Sequence, residues 1–351
     1  LPGGMDAMSE WFPGFENDLV EAGSVPMVAG REFYVYTPEG RSYSMYTHQP
    51  EPIDGETMYV QSRPLLEDRV RHRVAGSPNV ELRYNTLVEA PVMVDGVVSG
   101  VVLDTGEQID ADLVVDASGR NSRTARWLPG LGFGEVPESH VNCDIQYVSA
   151  VLQPDDFDCY DGVVFFVFPD PNGEYPKRFG VMSKLEGGRW LTMVGSRYGD
   201  ECPTNWDEML AFGRTLQSPE WSRCAEQATP VSDVHSYRLP RAVRRHYGRL
   251  ESFPDGLLPI GDSVCFFNPA YGQGMSAAAG QCRGLRALLD ERAATGAGLA
   301  GLPGEFFAVA DEWVRGPWVL AAMADFEHAE CTGDFPEAEI GDLTTFGELM
   351  G

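Results

Sequence analysis

The sequence predicts an α/β fold in which a nucleotide-binding layer is interrupted by an inserted antiparallel sheet domain. Three observations carry this expectation. An apolar run, Leu113-Val-Val115, stops at Asp116-Ala-Ser-Gly119, as a buried parallel strand does where it reaches a site. A second run, Gly256-Leu-Leu-Pro-Ile260, closes on Gly261-Asp262 and leads to a long helix opening at Gly272-Gln-Gly274-Met275. Between the two lies a long β-rich stretch, roughly 139–198. The order is α/β, then an antiparallel block, then α/β again.

The elements run in chain order. Met5 to Ala22 is a short amphipathic stretch, and Glu32–Thr37 and Ser42–Thr47 are aromatic strand candidates. Thr57–Ser62 is extended, and Arg63–Val74 reads as a helix with Leu65, Leu66, Val70 and Val74 on one face. Strands are expected at Val80–Tyr84, Leu87–Val94, Val97–Leu103 and Gln108–Asp116, with Asp95-Gly96 as a hairpin turn. The β-rich block supplies Val141–Leu152, Gly162–Phe168, Arg178–Leu185 and Trp190–Arg197. Helices are expected at Trp206–Leu216, capped by Asn205 or Thr204, from Gly272 to about Arg292, and at Pro303–Asp325. These elements divide the chain into 1–138 (with part of the substrate region at 24–56), a β-rich 139–235, a return at 236–300, and a helical segment at 301–351.

The chain has 351 residues and carries 26 Lys and Arg against 53 Asp and Glu, a net charge of −27. That excess argues against nucleic acid and against an anionic membrane surface. Lys177 and Lys184 are the only lysines. Seven cysteines without a C-x-x-C pair read as reduced thiols of a cytoplasmic protein, with no zinc site. His235 and His246 have no partners at ligand spacing, so no metal is expected. No apolar run reaches the roughly 18 residues of a membrane span. No Gly-x-Ser-x-Gly supports a hydrolase.

The strongest chemical signal runs from Leu257 to Leu289. A carboxylate at a strand end can accept hydrogen bonds from polyol hydroxyls, and glycines let a planar group approach the backbone. The free amides and positive dipole end of the helix favour negative charge. Together these are the parts of a nucleotide-sugar and ring-cofactor site. The structural alternative is a plain strand–loop–helix crossover with turn glycines.

The string Gly261-Asp262-Ser-Val-Cys-Phe-Phe-Asn-Pro269-Ala-Tyr-Gly272-Gln-Gly274-Met275 resembles the second FAD-binding motif of the flavin monooxygenases related to para-hydroxybenzoate hydroxylase. Its Asn-Pro-x-Tyr-Gly-Gln-Gly-Met form resembles a bacterial hydroxylase-like branch that includes polyether epoxidases. The resemblance implies an FAD-binding, Rossmann-like domain of the glutathione-reductase type, interrupted by an antiparallel-sheet substrate domain. It implies that Gly261 is among the cofactor-binding residues, that Asp262 holds the ribityl chain, that Pro269 lies beside the ring, and that Gly272, Gln273, Gly274 and Met275 present amides to the ring's pyrimidine edge. Many members carry His shortly after Gly-Asp, where this chain reads Cys265-Phe-Phe-Asn268. Asp112-Leu-Val-Val-Asp116-Ala-Ser-Gly119-Arg-Asn-Ser122-Arg123 resembles the family's Asp-Gly motif, with Ser118 in the usual Asp place and Asp116 supplying the carboxylate. Ser62-Arg63 resembles the family's strand–Arg–helix element, whose arginine lies near the flavin phosphate or sugar.

Three further features complete the expectations. Arg241, Arg244, Arg245 and His246 form a basic cluster that local charge balance explains better than phosphate binding. Phe165, Phe166, Phe168 and Met193 are candidates for an apolar substrate pocket. The family's first motif, Gly-x-Gly-x-x-Gly, is absent. Leu1-Pro-Gly-Gly4 resembles the stretch just beyond that first β-α-β unit, so the sequence is expected to be an internal portion of a longer protein.

The activity the resemblance implies is insertion of one oxygen atom, by epoxidation or hydroxylation, into a mostly apolar organic substrate through a flavin hydroperoxide. FAD is the implied cofactor, with NADPH or NADH as electron source, directly or through a flavin reductase, and molecular oxygen as co-substrate. No catalytic side chain is assigned. A reductase or cyclase on the same fold, or a flavin-less relative, are the alternatives; a halogenase is disfavoured by the absence of Trp-x-Trp-x-Ile-Pro.

Overall fold

The structure is a computed structural model and describes residues 2–44, 48–53 and 55–337. The chain begins with α1 (Pro2–Trp11), α2 (Phe15–Glu21), β1 (Val25–Val28), β2 (Phe33–Thr37), β3 (Gly40–Ser42), β4 (Thr57–Val60) and α3 (Arg63–Ala75). Next come β5 (Val88–Val94), β6 (Val97–Leu103), β7 (Gln108–Asp110), β8 (Val114–Asp116) and α4 (Thr124–Gly130). The β-rich block holds β9 (Glu138–Asn142), β10 (Ile145–Pro154), β11 (Val164–Val167), β12 (Phe179–Leu185) and β13 (Arg189–Arg197). After it come α5 (Trp206–Gly213), α6 (Glu220–Ala225), β14 (Ala228–Pro230), β15 (His235–Leu239) and β16 (Ala242–Arg245). The chain closes with β17 (Leu257–Pro259), β18 (Cys265–Phe266), α7 (Gly274–Thr295), α8 (Leu302–Phe326) and β19 (Thr332–Gly333).

These elements form two compact units, each built from separated stretches: 1–11, 81–143 and 241–351 in the first, 12–80 and 144–240 in the second. The sequence-based divisions at 138/139 and 235/236 stand beside observed divisions at 143/144 and 240/241.

In the second unit, β14-β10-β13-β12-β11-β2-β3 make one sheet, with β15 also paired to β10. All its pairs are antiparallel except β11 with β2. Side chains alternate across it. One face carries Tyr34, Phe165, Val167, Met182, Val194 and Val148, sealed by Met209 and Phe212 of α5 and Trp221 and Cys224 of α6. The fit is close: a Cβ on Gly213 would lie 2.0 Å from the Trp221 ring, whose indole N–H donates to the Val181 carbonyl. The β1–β4 ribbon packs Met27, Met58 and Val60 against Val164, Phe33 and Phe166. Asn205 caps α5 by accepting the Glu208 N–H, and the helix ends at Gly213, three residues short of the expected Leu216.

In the first unit, β8 and β17 pair in parallel, the β5-β6-β7 meander turns at Asp95-Gly96, and β18-β16-β9-β19 form a third sheet. Asp95 and Gly96 both have positive φ (49° and 83°), which a two-residue hairpin of this kind requires. The core gathers Leu128, Leu258, Ile260, Leu302, Phe306 and Ala310.

Several expectations are corrected. Val80–Tyr84 forms no strand: among the described residues no strand pairs with it, and Val80, Leu82 and Tyr84 stay exposed. Gln108–Asp116 splits into β7 and β8, and Val141–Leu152 into β9 and β10, the latter around Asp144 at φ 27°. The parallel pairing at 114–116 is present, but the strand is not fully buried, since Val115 is 43% exposed. The amphipathic stretch Met5–Ala22 falls on two helices, α1 and α2, separated at 12–14. Of Ser42–Thr47, only Ser42 is strand, and residues 45–47 lie outside the described residues, as do 338–351.

Candidate functional site

The site is assembled where β17 ends in the first unit. Leu257 and Leu258 are wholly buried, so the strand is held by its own hydrophobicity, and parallel pairing sets Pro259 opposite Asp116. Gly261 comes next but one at φ 64°, a conformation that favours glycine, and its N–H donates to Oε1 of Gln281, 2.9 Å away on α7. That turn brings Asp262 to the surface. A Cβ built on Gly119 would lie 3.8 Å from the Asp262 Cβ, and one on Gly274 would lie 3.7 Å from Asp262 Oδ1. The Gly119 turn, Asp262 and the first residue of α7 therefore converge. Ser263 ties them together, its Oγ accepting the Gly119 N–H at 3.1 Å.

Asp116 is held by its own loop. Its Oδ1 accepts the Ser118 N–H at 3.0 Å and the Ser118 hydroxyl; its Oδ2 accepts the hydroxyls of Ser122 and Thr124, each at 2.5 Å. Four donors use the acceptor capacity of one carboxylate. Burial pushes its pKa up, and the hydrogen bonds from Ser118, Ser122 and Thr124 outweigh burial, so the carboxyl titrates below its usual range. Asp116 organises the 116–124 loop and, through it, the Gly119 turn.

The segment from Asn268 to Met275 completes the site. Asn268 is fully buried; its Oδ1 accepts the Ala270 N–H at 3.0 Å and its Nδ2 donates to Asp325 Oδ1 on α8 at 2.8 Å. Pro269–Tyr271 form one 3₁₀ turn, Gly272 adopts φ 67°, and Gln273 is the N-cap of α7 with no side-chain cap bond. Pro269, Gly272 and Met275 are exposed, Met275 at 65%, whereas Gln273 is buried. A Cβ on Gly272 would meet no atom within 4 Å. The donor set thus suits the ribityl and ring half of a flavin nucleotide: an exposed strand-end carboxylate, an uncapped start of a 22-residue helix, and open glycine backbone between them.

Arg63 and the candidate pocket residues belong to the second unit. Arg63 opens α3 after the Ser62 cap, and its Nε lies 2.7 Å from Glu67 Oε1 one turn on, with its side chain 80% exposed. Phe165, Phe166, Phe168 and Met193 do not share a face. Phe165 is 0% exposed in the core beneath α5 and α6, which removes it from any pocket lining. Phe166, Phe168 and Met193 are half-buried on the opposite face, Phe166 and Met193 both in register with Val181. In the basic cluster, which lies in the first unit, Arg244 pairs with Asp311 and Arg245 with Glu138, the local balance the sequence suggested. His246 sits buried against Ser139, and burial with Arg244 and Arg249 lowers its pKa to about 4. Sequence reasoning missed Gln281 and Asp325, which contact the site from 20 and 57 residues away and obey no motif spacing.

No family model matches the chain. Protein Rv3254 of Mycobacterium tuberculosis (strain ATCC 25618 / H37Rv) is 30% identical over 339 residues, covering 93% of this chain and 69% of that protein. Among solved structures, PqsL, a probable FAD-dependent monooxygenase from Pseudomonas aeruginosa, matches with a TM-score of 0.62 at 18% identity, covering 93% of this chain and 88% of its own. The p-nitrophenol 4-monooxygenase PnpA from Pseudomonas putida DLL-E4 gives 0.60 at 18%, covering 97% and 81%. A triple mutant of the flavin-dependent brominase Bmp2 gives 0.64 at 19%, covering 91% and 75%. The fold is one that these FAD-dependent monooxygenases and flavin-dependent halogenases share. The chain belongs to the same family as Rv3254.

Proposed function

We propose that the protein is an FAD-dependent monooxygenase that inserts one oxygen atom into a mostly apolar organic substrate, with an FAD-binding, Rossmann-like domain interrupted by an antiparallel-sheet substrate domain. The observation that carries this reading is the convergence of Gly119, exposed Asp262 and the uncapped start of α7 at Gly274. Bound there, FAD would supply the activation of molecular oxygen and the delivery of one oxygen atom. Asp262 would accept hydrogen bonds from the ribityl hydroxyls. Amides of Gly272 to Met275 would stabilise negative charge at the pyrimidine edge, helped by the helix dipole. Pro269 would pack beside the ring, and Arg63 would serve the phosphate or sugar end.

Phe166, Phe168 and Met193 offer an apolar sheet face for the substrate, and half-buried aromatic and thioether groups exclude water without introducing charge. Electrons would come from NADPH or NADH, directly or through a partner reductase. Epoxidation needs no acid or base from the protein, and no side chain is assigned one. Among the described residues no helix is long and apolar enough to cross a membrane. The test is oxygen uptake by the FAD-loaded, full-length protein given NADPH or NADH and a panel of lipophilic alkenes and phenols. Substrate-dependent uptake with a product heavier by one oxygen is expected. Substrate turnover without oxygen uptake would establish a reductase or cyclase instead.

A further inference from the structure

Asp325 lies in the last turn of α8 and is 1% exposed. A buried carboxylate is expensive, and the C-terminal end of a helix, with its negative dipole, is the worse place for one. What offsets the expense is specific. Oδ1 of Asp325 accepts from Asn268 Nδ2 at 2.8 Å and from the Tyr271 hydroxyl at 2.7 Å. The Asn268 orientation is not arbitrary: its Oδ1 already accepts the Ala270 N–H, which leaves only the NH₂ for Asp325. The two donors bracket Pro269 and Ala270, so one oxygen atom pins both ends of the turn that leads through Gly272 into α7.

The helix that delivers Asp325 is itself fixed in register. A Cβ on Gly280 would lie 2.2 Å from Cδ2 of Trp313, and one on Gly284 would lie 2.2 Å from Cγ1 of Val309. Glycines one turn apart on α7 therefore admit side chains of α8 onto its backbone, a contact that tolerates little sliding. From Trp313, Asp325 is roughly 18 Å further along the helix, at the turn.

We propose that Asp325 is a positioning residue. By clamping Asn268 and Tyr271 it holds the 268–275 segment in the one geometry that presents Pro269 and the Gly272–Met275 amides to a flavin ring. The proposal rests on the flavin reading of this site, and two separate readouts keep the two claims apart. In the full-length protein, amide hydrogen exchange of the 266–276 segment is measured without flavin, with the 285–295 half of α7 as internal control. FAD affinity is then measured by titration of flavin fluorescence.

Asp325→Leu is expected to raise exchange in 266–276 about tenfold or more, leave 285–295 unchanged, and weaken FAD binding about tenfold. Asp325→Asn, which keeps an oxygen acceptor for both donors, is expected to recover most of both. Tyr271→Phe removes one donor with little risk to folding and is expected to fall between. Unchanged exchange in Asp325→Leu and Tyr271→Phe overturns the clamp whatever flavin does. Loosened exchange with undiminished FAD affinity, or no rescue by Asp325→Asn, overturns the positioning role. A wild-type protein that binds no FAD overturns the flavin reading and the positioning role with it, while exchange still decides the clamp.

Discussion

Thr124 donates its hydroxyl to Asp116 Oδ2 over 2.5 Å, and Ser122 donates to the same oxygen at the same distance. Both donors are buried, so the loop that shapes the Gly119 turn depends on a single carboxylate. Asp116→Ala leaves these hydroxyls without their acceptor and is expected to lower stability by about 1–3 kcal/mol. The pH dependence has a fixed sign. The folded pKa lies below the ordinary value, so the stabilisation is present above the unfolded value of about 3.9 and is lost as pH falls through the folded pKa. Urea unfolding of wild type and Asp116→Ala from pH 7 to pH 3 should show a smaller acid-side decline in the variant. Identical slopes would show that Asp116 is not the loop's anchor.

Two neighbouring phenylalanines should behave oppositely. Phe165→Ala empties a wholly buried position and should cost about 3–5 kcal/mol of stability in thermal or urea unfolding. Phe166→Ala and Phe168→Ala, on the half-buried face, should cost less and alter substrate affinity more than flavin content. Equal destabilisation by Phe165→Ala and Phe166→Ala would contradict the assignment of faces.

His246 should make the fold acid-sensitive. Burial and the charges of Arg244 and Arg249 lower its pKa to about 4, against about 6.5 unfolded. Between those values the unfolded chain binds the proton and the folded chain does not, so this contribution to stability is complete above pH 6.5 and declines as pH falls towards 4. His246→Gln can still bond Ser139 and should flatten the unfolding profile in that window. A profile as steep as wild type would place the acid sensitivity elsewhere.

Local chemistry makes much of this legible in the sequence. The Asp95-Gly96 turn, the helix start after Ser62 and the strand ending at Gly261-Asp262 are each set by neighbours in the chain, and each stands where the pattern predicts it. Period-two alternation shows that Phe165 and Phe166 point apart, but not which side α5 and α6 cover. Val80, Leu82 and Tyr84 alternate as a strand should, yet a strand needs a ladder partner as well as a pattern, and none is present among the described residues. Asp116 is recognisable as a site carboxylate, but the four donors its own loop aims at it follow from the fold of 116–124 and not from any spacing. Asp325 is invisible in the sequence, because an aspartate near the end of a long helix reads as surface charge until its partner 57 residues away is known.

The central claim is that the Gly261–Met275 region holds a flavin, and the flavin content of the purified full-length protein tests it most directly. Absorbance in the flavin bands should show close to one FAD per chain in the wild type. Asp262→Ala, at an exposed position that the core does not need, should be folded by circular dichroism and colourless. A wild-type protein that neither carries nor takes up FAD, or an Asp262→Ala protein with its full complement, would contradict the account.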